Sequence, residues 1–243
     1  NLCRYEFGLA HGIDGGFAEL VRIPRQIVQA GGVVQIPADL TFEAAAMAEP
    51  LSCGLAALKT NRVKPEDTVV ICGAGPMGLI HLLLAKWVGA RVIIIEPLAH
   101  RRNLASMLGA DYVLDPGDQD PVEGVKRITA GDGANVVVTS LGNPQAIQSA
   151  LPMVSKGGIF NIFGGPPAGY AIQVDPRWVH YHEVTITGSF ASTPQDFRQA
   201  VDLIASGAIA ADSLITHRFT LDSMTDAIEK AKSLEMIKGM LLL

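Results

Sequence analysis

From Thr68 onward, short apolar runs rich in β-branched residues alternate with stretches whose apolar positions recur at helical spacing. The runs predict strands over 68–72, 91–96, 112–114, 135–139 and 158–163, and the pattern between them predicts helices over 77–88, 99–108, 122–129 and 144–154. Such alternation implies a parallel sheet with right-handed crossovers and helices on both faces. Nearly continuous apolar strands agree, because both faces of such a sheet are covered. The segment 183–190 reads as one further strand. After it come a helix over 195–205 capped by Thr193, a strand over 214–219, a helix over 223–231 and a closing strand from Ile237.

Upstream of Thr68 the texture differs. Alternation over 16–36, carried by Leu20, Val21, Arg22 and Ile23 and then by Val33, Val34, Gln35 and Ile36, predicts short strands of a mainly antiparallel unit. Thr41 is the expected N-cap of an Ala-rich helix over 42–48 that Pro50 breaks, with a second helix over 53–60.

Composition narrows the function classes. With 243 residues, 49% hydrophobic and 18% charged, the chain buries a sizeable core, and its length favours two domains. Nineteen basic against twenty-four acidic residues, a net charge of -5 with no run of like charges, argue against a nucleic-acid or anionic-membrane surface and leave a small molecule as the expected partner. Three cysteines, Cys3, Cys53 and Cys72, are too few for a disulfide framework and fit a reducing compartment, so a cytoplasmic location is expected. The uncharged stretch 68–85 is long enough for a membrane span, yet Gly73, Gly75, Pro76 and Gly78 divide it into strand, turn and helix, and no signal peptide is visible.

Those glycines carry the chemistry. Gly73, Ala74, Gly75, Pro76, Met77 and Gly78 form a G-x-G-x-x-G between a predicted strand and a predicted helix, the context that raises the pattern above a chance match. The first glycine permits the tight turn, the second lets the backbone approach a pyrophosphate, and the third lets helix pack on strand, while helix-start amides bind phosphate oxygens. Glu96 ends the second strand eighteen positions beyond Gly78, close to the spacing of the acid that accepts ribose hydroxyls, which favours NAD over NADP. Arg101 and Arg102 lie near enough to accept a 2′-phosphate, so the choice between the two cofactors stays open.

With these residues in view, the chain resembles the medium-chain dehydrogenase/reductase superfamily, in particular its zinc-dependent polyol, sorbitol and threonine dehydrogenase branch. The resemblance rests on Asp14–Glu19, on Ala48, Glu49, Pro50, Leu51 and Ser52, on the Gly73 to Gly78 turn with Glu96 and Arg101, and on Ile215, Thr216, His217, Arg218 and Phe219. It implies an α/β fold in which a Rossmann doubly wound sheet, residues 51–190, is inserted in a partial GroES-like β-rich catalytic domain made of 1–50 and 191–243. It also implies that Glu49 is a ligand of the catalytic zinc or holds its water, and that Cys3 is a zinc ligand in a structural lobe. The remaining ligands are expected upstream of Asn1, which would leave this chain inactive alone. Taken by itself, Cys3 reads as a surface thiol.

By the same resemblance the backbones of Phe163, Gly164, Ser189 and Phe190 hold the nicotinamide carboxamide, and Leu141 lies near its ribose. Ala191, Ser192 and Thr193 depart from the sorbitol dehydrogenase pattern, which puts sorbitol itself in doubt. None of His11, His81, His180, His182 and His217 has a visible carboxylate partner, and catalysis is assigned to no side chain. The expected activity is oxidation of a secondary alcohol, a polyol or amino alcohol, by NAD with zinc polarising the hydroxyl (EC 1.1.1.-). A zinc-independent NAD(P)H reductase of the same superfamily and a non-catalytic NAD-binding fragment are the rivals. Strand pairing through 183–190 points to a homodimer or homotetramer.

Overall fold

The computed structural model describes residues 2, 8–10 and 12–242; Cys3 and His11 lie outside the described residues. The chain divides into two compact units, the first made of the chain up to Ser52 and from Ala191 onward, the second of Cys53–Phe190.

In the first unit, β1 (Gly8–Leu9) and β2 (Gly12–Ile13) form a two-residue parallel bridge. The strands expected over 16–36 do not form. That segment holds instead the short helix α1 (Arg25–Gln29) in otherwise irregular chain, with Phe17 and Leu20 exposed. The alternation there buries no apolar face, and a strand without a partner ladder or a covered face gains too little to form.

Helix α2 (Phe42–Ala46) starts at Thr41, whose hydroxyl accepts the Ala44 amide at 3.2 Å. Helix α3 (Ala48–Thr60) begins only two residues after α2 ends, so Pro50 lies inside its first turn instead of between two helices. There a proline needs no amide, and its ring excludes the helical position of the Ala46 carbonyl four residues back, which is where α2 stops.

The second unit is built on six parallel strands: β3 (Thr68–Cys72), β4 (Arg91–Ile95), β5 (Tyr112–Leu114), β6 (Ala134–Thr139), β7 (Val154–Ile162) and β8 (Thr185–Gly188). They lie in the order β5-β4-β3-β6-β7-β8, which counted from the first strand of this sheet is 3-2-1-4-5-6. Every residue of β3 is buried, as the apolar pattern requires. Connecting helices are α4 (Pro76–Val88), α5 (Ala99–Met107), α6 (Pro121–Ile128), α7 (Pro144–Ala150) and α8 (Pro176–His182).

Two boundaries differ from expectation. Helix α7 stops at Ala150 in a 3-10 turn and β7 starts at Val154, earlier than position 158. The residues 180–182 belong to helix α8, and Glu183, expected in a strand, is its left-handed C-cap with φ of 52°. Asp175 caps α8 through the Arg177 amide, with Pro176 at its first position, two local signals that start a helix here.

The chain returns to the first unit through α9 (Pro194–Ala205), opened by a reciprocal Thr193–Asp196 capping box. It closes with β9 (Ile215–Thr220), α10 (Met224–Lys232) and β10 (Lys238–Leu242); β9 and β10 pair in parallel. The Arg218 guanidinium meets Glu43 at 2.6 Å, tying β9 to α2. No helix among the described residues is long and apolar enough to cross a membrane.

Candidate functional site

In an open parallel sheet, ligands bind beyond the carboxyl ends of the strands where the strand order reverses, here between β3 and β6. The turn that leaves β3 is Gly73–Gly78. Gly73 has φ of 95°, open to glycine at no steric cost, and its amide donates to the Ile95 carbonyl at 2.8 Å, which seats the turn on β4. Gly75 is the N-cap of α4, and Pro76 and Met77 follow in its first turn. A β-carbon on Gly78 would stand 1.9 Å from the Gly73 carbonyl oxygen, so helix and turn meet only because that carbon is absent.

Glu96, 3% exposed, faces this turn from the end of β4. Its two carboxylate oxygens accept the Ala74 amide at 2.7 Å and the Leu98 amide at 2.9 Å. The carboxylate therefore shapes the turn, and with about four lone-pair positions it retains acceptors for further donors. The neighbouring arginines divide the work. Arg102 is taken up by Asp115 at 2.7 Å and by the carbonyls of Glu96 and Pro97. Arg101 is directed to the turn, with Nη1 3.8 Å from where a β-carbon of Gly75 would be.

Beside the turn lies an apolar cavity of about 280 Å³, lined by Cys72, Ile95, Pro97, Pro116 and Leu141 among others. Burial pushes the Cys72 thiol up to about 12, so it serves the core as a small inert side chain. A larger cavity of about 740 Å³, lined by Lys126, Asp132, Lys156, Trp178 and His182, opens near the amino ends of β6 and β7. It lies at the wrong end of the strands for the Gly73–Gly78 turn.

On the other side of the reversal, the amides of Phe163 and Gly164 both donate to the Thr139 carbonyl, at 3.1 and 2.8 Å. A β-carbon on Gly164 would fall 2.4 to 2.6 Å from the Leu141 backbone, which brings these two predicted residues together. The Ser189 amide donates to Ile162 at 3.3 Å, and its hydroxyl accepts Nδ2 of Asn161 at 2.8 Å. Phe190 is 59% exposed. Reading the sequence alone overlooks Asn161, although one polar residue inside the apolar run of β7 was the available signal.

His81 on α4 is buried, its ring edge-on to Phe163 at 4.5 Å between centroids, and burial lowers it to about 4, so it is neutral near pH 7. The Gly73–Gly78 turn, the acid and this second edge together fit a dinucleotide.

The metal residues do not assemble in the same way. Among the described residues no three of His, Cys, Asp and Glu come close enough to hold a metal ion. Glu49 is exposed in the first turn of α3, and Cys3 lies outside the described residues. The described residues thus do not make up a zinc site. Buried Ser52 donates to the Glu49 carbonyl at 2.6 Å and meets the Ser192 hydroxyl at 2.7 Å.

Residues 76–206 match the family model described as zinc-binding dehydrogenase. The chain is 34% identical to D-arabitol-phosphate dehydrogenase of Enterococcus avium, over 99% of this chain and 68% of that protein. It is 33% identical to sorbitol dehydrogenase of Bacillus subtilis, over 95% and 64%. Among solved structures, a candidate zinc-binding dehydrogenase from Sinorhizobium meliloti 1021 bound to NADP superposes with a TM-score of 0.87 at 32% identity, over 95% of this chain and 66% of that one. The chain thus spans about two thirds of the length of these relatives.

Proposed function

This chain belongs to the zinc-binding dehydrogenase family, and from that membership we propose that its protein transfers a hydride from a secondary alcohol, a polyol or a polyol phosphate in class, to NAD. The observation that carries the proposal is the Gly73–Gly78 turn with Glu96 bonded into it. Amides at the start of α4 take the pyrophosphate. Glu96 accepts the hydroxyls of the adenosine ribose and repels a 2′-phosphate, while the apolar cavity beside it takes the adenine. Arg101, directed to the glycine turn, would favour the phosphates of either dinucleotide, so discrimination falls to Glu96.

The backbones of Phe163, Gly164, Ser189 and Phe190, at the ends of β7 and β8, would hold the nicotinamide carboxamide. The cofactor, when bound, supplies the hydride chemistry; the chain supplies orientation and excludes water. Segments 1–50 and 191–243 make one GroES-like catalytic domain, interrupted in sequence by the cofactor domain 51–190, and the protein works in the cytoplasm as a homodimer or homotetramer. From this chain Glu49 would hold the catalytic zinc or its water, and Cys3 would belong to a structural zinc lobe.

Calorimetric titration with NAD+ and NADP+ tests the cofactor assignment. Tighter binding of NAD+ is expected, and Glu96→Ser should narrow the difference; a wild-type preference for NADP+ overturns it. Elemental analysis tests the metal: active protein without zinc would remove Glu49 as a ligand.

A further inference from the structure

Asn161 is an anomaly in the sheet. It lies near the end of β7, is 0% exposed, and sits between apolar neighbours Phe160 and Ile162. Its Nδ2 reaches the Ser189 hydroxyl at 2.8 Å, but its Oδ1 is buried without a hydrogen-bond partner. A buried acceptor left unmade costs stability, and a leucine of similar volume would avoid that cost. The amide therefore has to be explained by what it holds.

What it holds is the residue after β8. Ser189 is fastened to β7 twice, by its backbone amide to the Ile162 carbonyl and by its side chain to Asn161. Two residues beyond Asn161, Phe163 is braced from α4 by the edge-on His81 ring. Glu96, on the β4 side of the pyrophosphate turn, marks where the adenosine half goes. The other half of a dinucleotide must then extend across the strand-order reversal, over β6, β7 and β8.

We infer that Asn161 is a positioning residue for the nicotinamide half of the cofactor, acting by fixing Ser189 against the end of β7. This rests on the assignment of NAD as the cofactor. Asn161 touches no reacting atom; it sets the height and orientation of the backbone at Ser189.

Calorimetric binding of NAD+ and of ADP-ribose, which lacks the nicotinamide, separates the two halves without any turnover. In Asn161→Leu and in Ser189→Ala, affinity for NAD+ should fall about tenfold, the scale of one lost hydrogen bond, with ADP-ribose affinity unchanged. Ser189→Thr keeps the hydroxyl and should restore NAD+ binding. Equal weakening for both ligands, or no change for NAD+, overturns the inference while the cofactor assignment stands. If the wild-type protein binds neither ligand, the cofactor assignment falls and takes the inference with it. Should Asn161→Leu fail to fold, Ser189→Ala removes the same hydrogen bond from its half-buried end, and its NAD+ and ADP-ribose affinities decide the matter alone.

Discussion

Individual atoms control the tightest parts of the cofactor unit. Gly78→Ala would press a methyl group onto the Gly73 carbonyl, so it should destabilise by about 1–3 kcal/mol and abolish dinucleotide binding together, as urea unfolding and calorimetry would report. His81 gives a pH signature. Burial holds its folded value near 4 against an ordinary 6.5, so the unfolded chain takes up a proton that the folded one refuses. Stability from this group is complete above about pH 6.5 and is lost as pH falls toward 4, on the order of 3 kcal/mol in total. Urea midpoints measured at pH 7 and pH 4.5 should converge in His81→Leu relative to wild type; an unchanged difference would show that other groups carry the acid sensitivity.

Among the helices and strands, side chains at helix starts do much of the specifying. Thr193 and Asp196 satisfy each other's backbone amides at the start of α9. Thr193→Ala should cost about 1 kcal/mol, measured as a lowered unfolding midpoint with unchanged slope. Asp175 caps α8 from one side, its carboxylate accepting the Arg177 amide ahead of Pro176 at the first helical position. Strand β8 pairs with β7 on one side only among the described residues. In the proposed oligomer a second copy would add strands at its other edge, and equilibrium sedimentation giving only monomer would remove that expectation.

For the chain taken entire, the division into two units predicts how ligand couples to stability. Because every residue assigned to the dinucleotide lies in Cys53–Phe190, hydrogen exchange with saturating NAD+ should gain protection there first. At a hundredfold excess over the dissociation constant the gain is about 2.7 kcal/mol. Protection spread evenly over both units would instead mean that the cofactor acts on the whole chain.

The parallel sheet, its alternation with helices, the glycine turn and the acid at the end of the second strand are all legible in the sequence. Each of these is written in residues close together: a period of two or 3.6, a glycine where a positive φ is needed, a proline at a helix start. Which polar groups meet was not legible, because the partners come from distant parts of the chain. Glu96 caps the Ala74 amide across 22 positions, Asn161 reaches Ser189 across 28, and His81 lies against Phe163 from another element. Folding in three dimensions also settles that 16–36 carries no strand, since a strand exists only where a neighbour completes its ladder and a face is covered, and neither condition is local. Asn161 belongs with these: the cost of its orphaned Oδ1 and the use of its Nδ2 appear only when the strand ends are brought side by side.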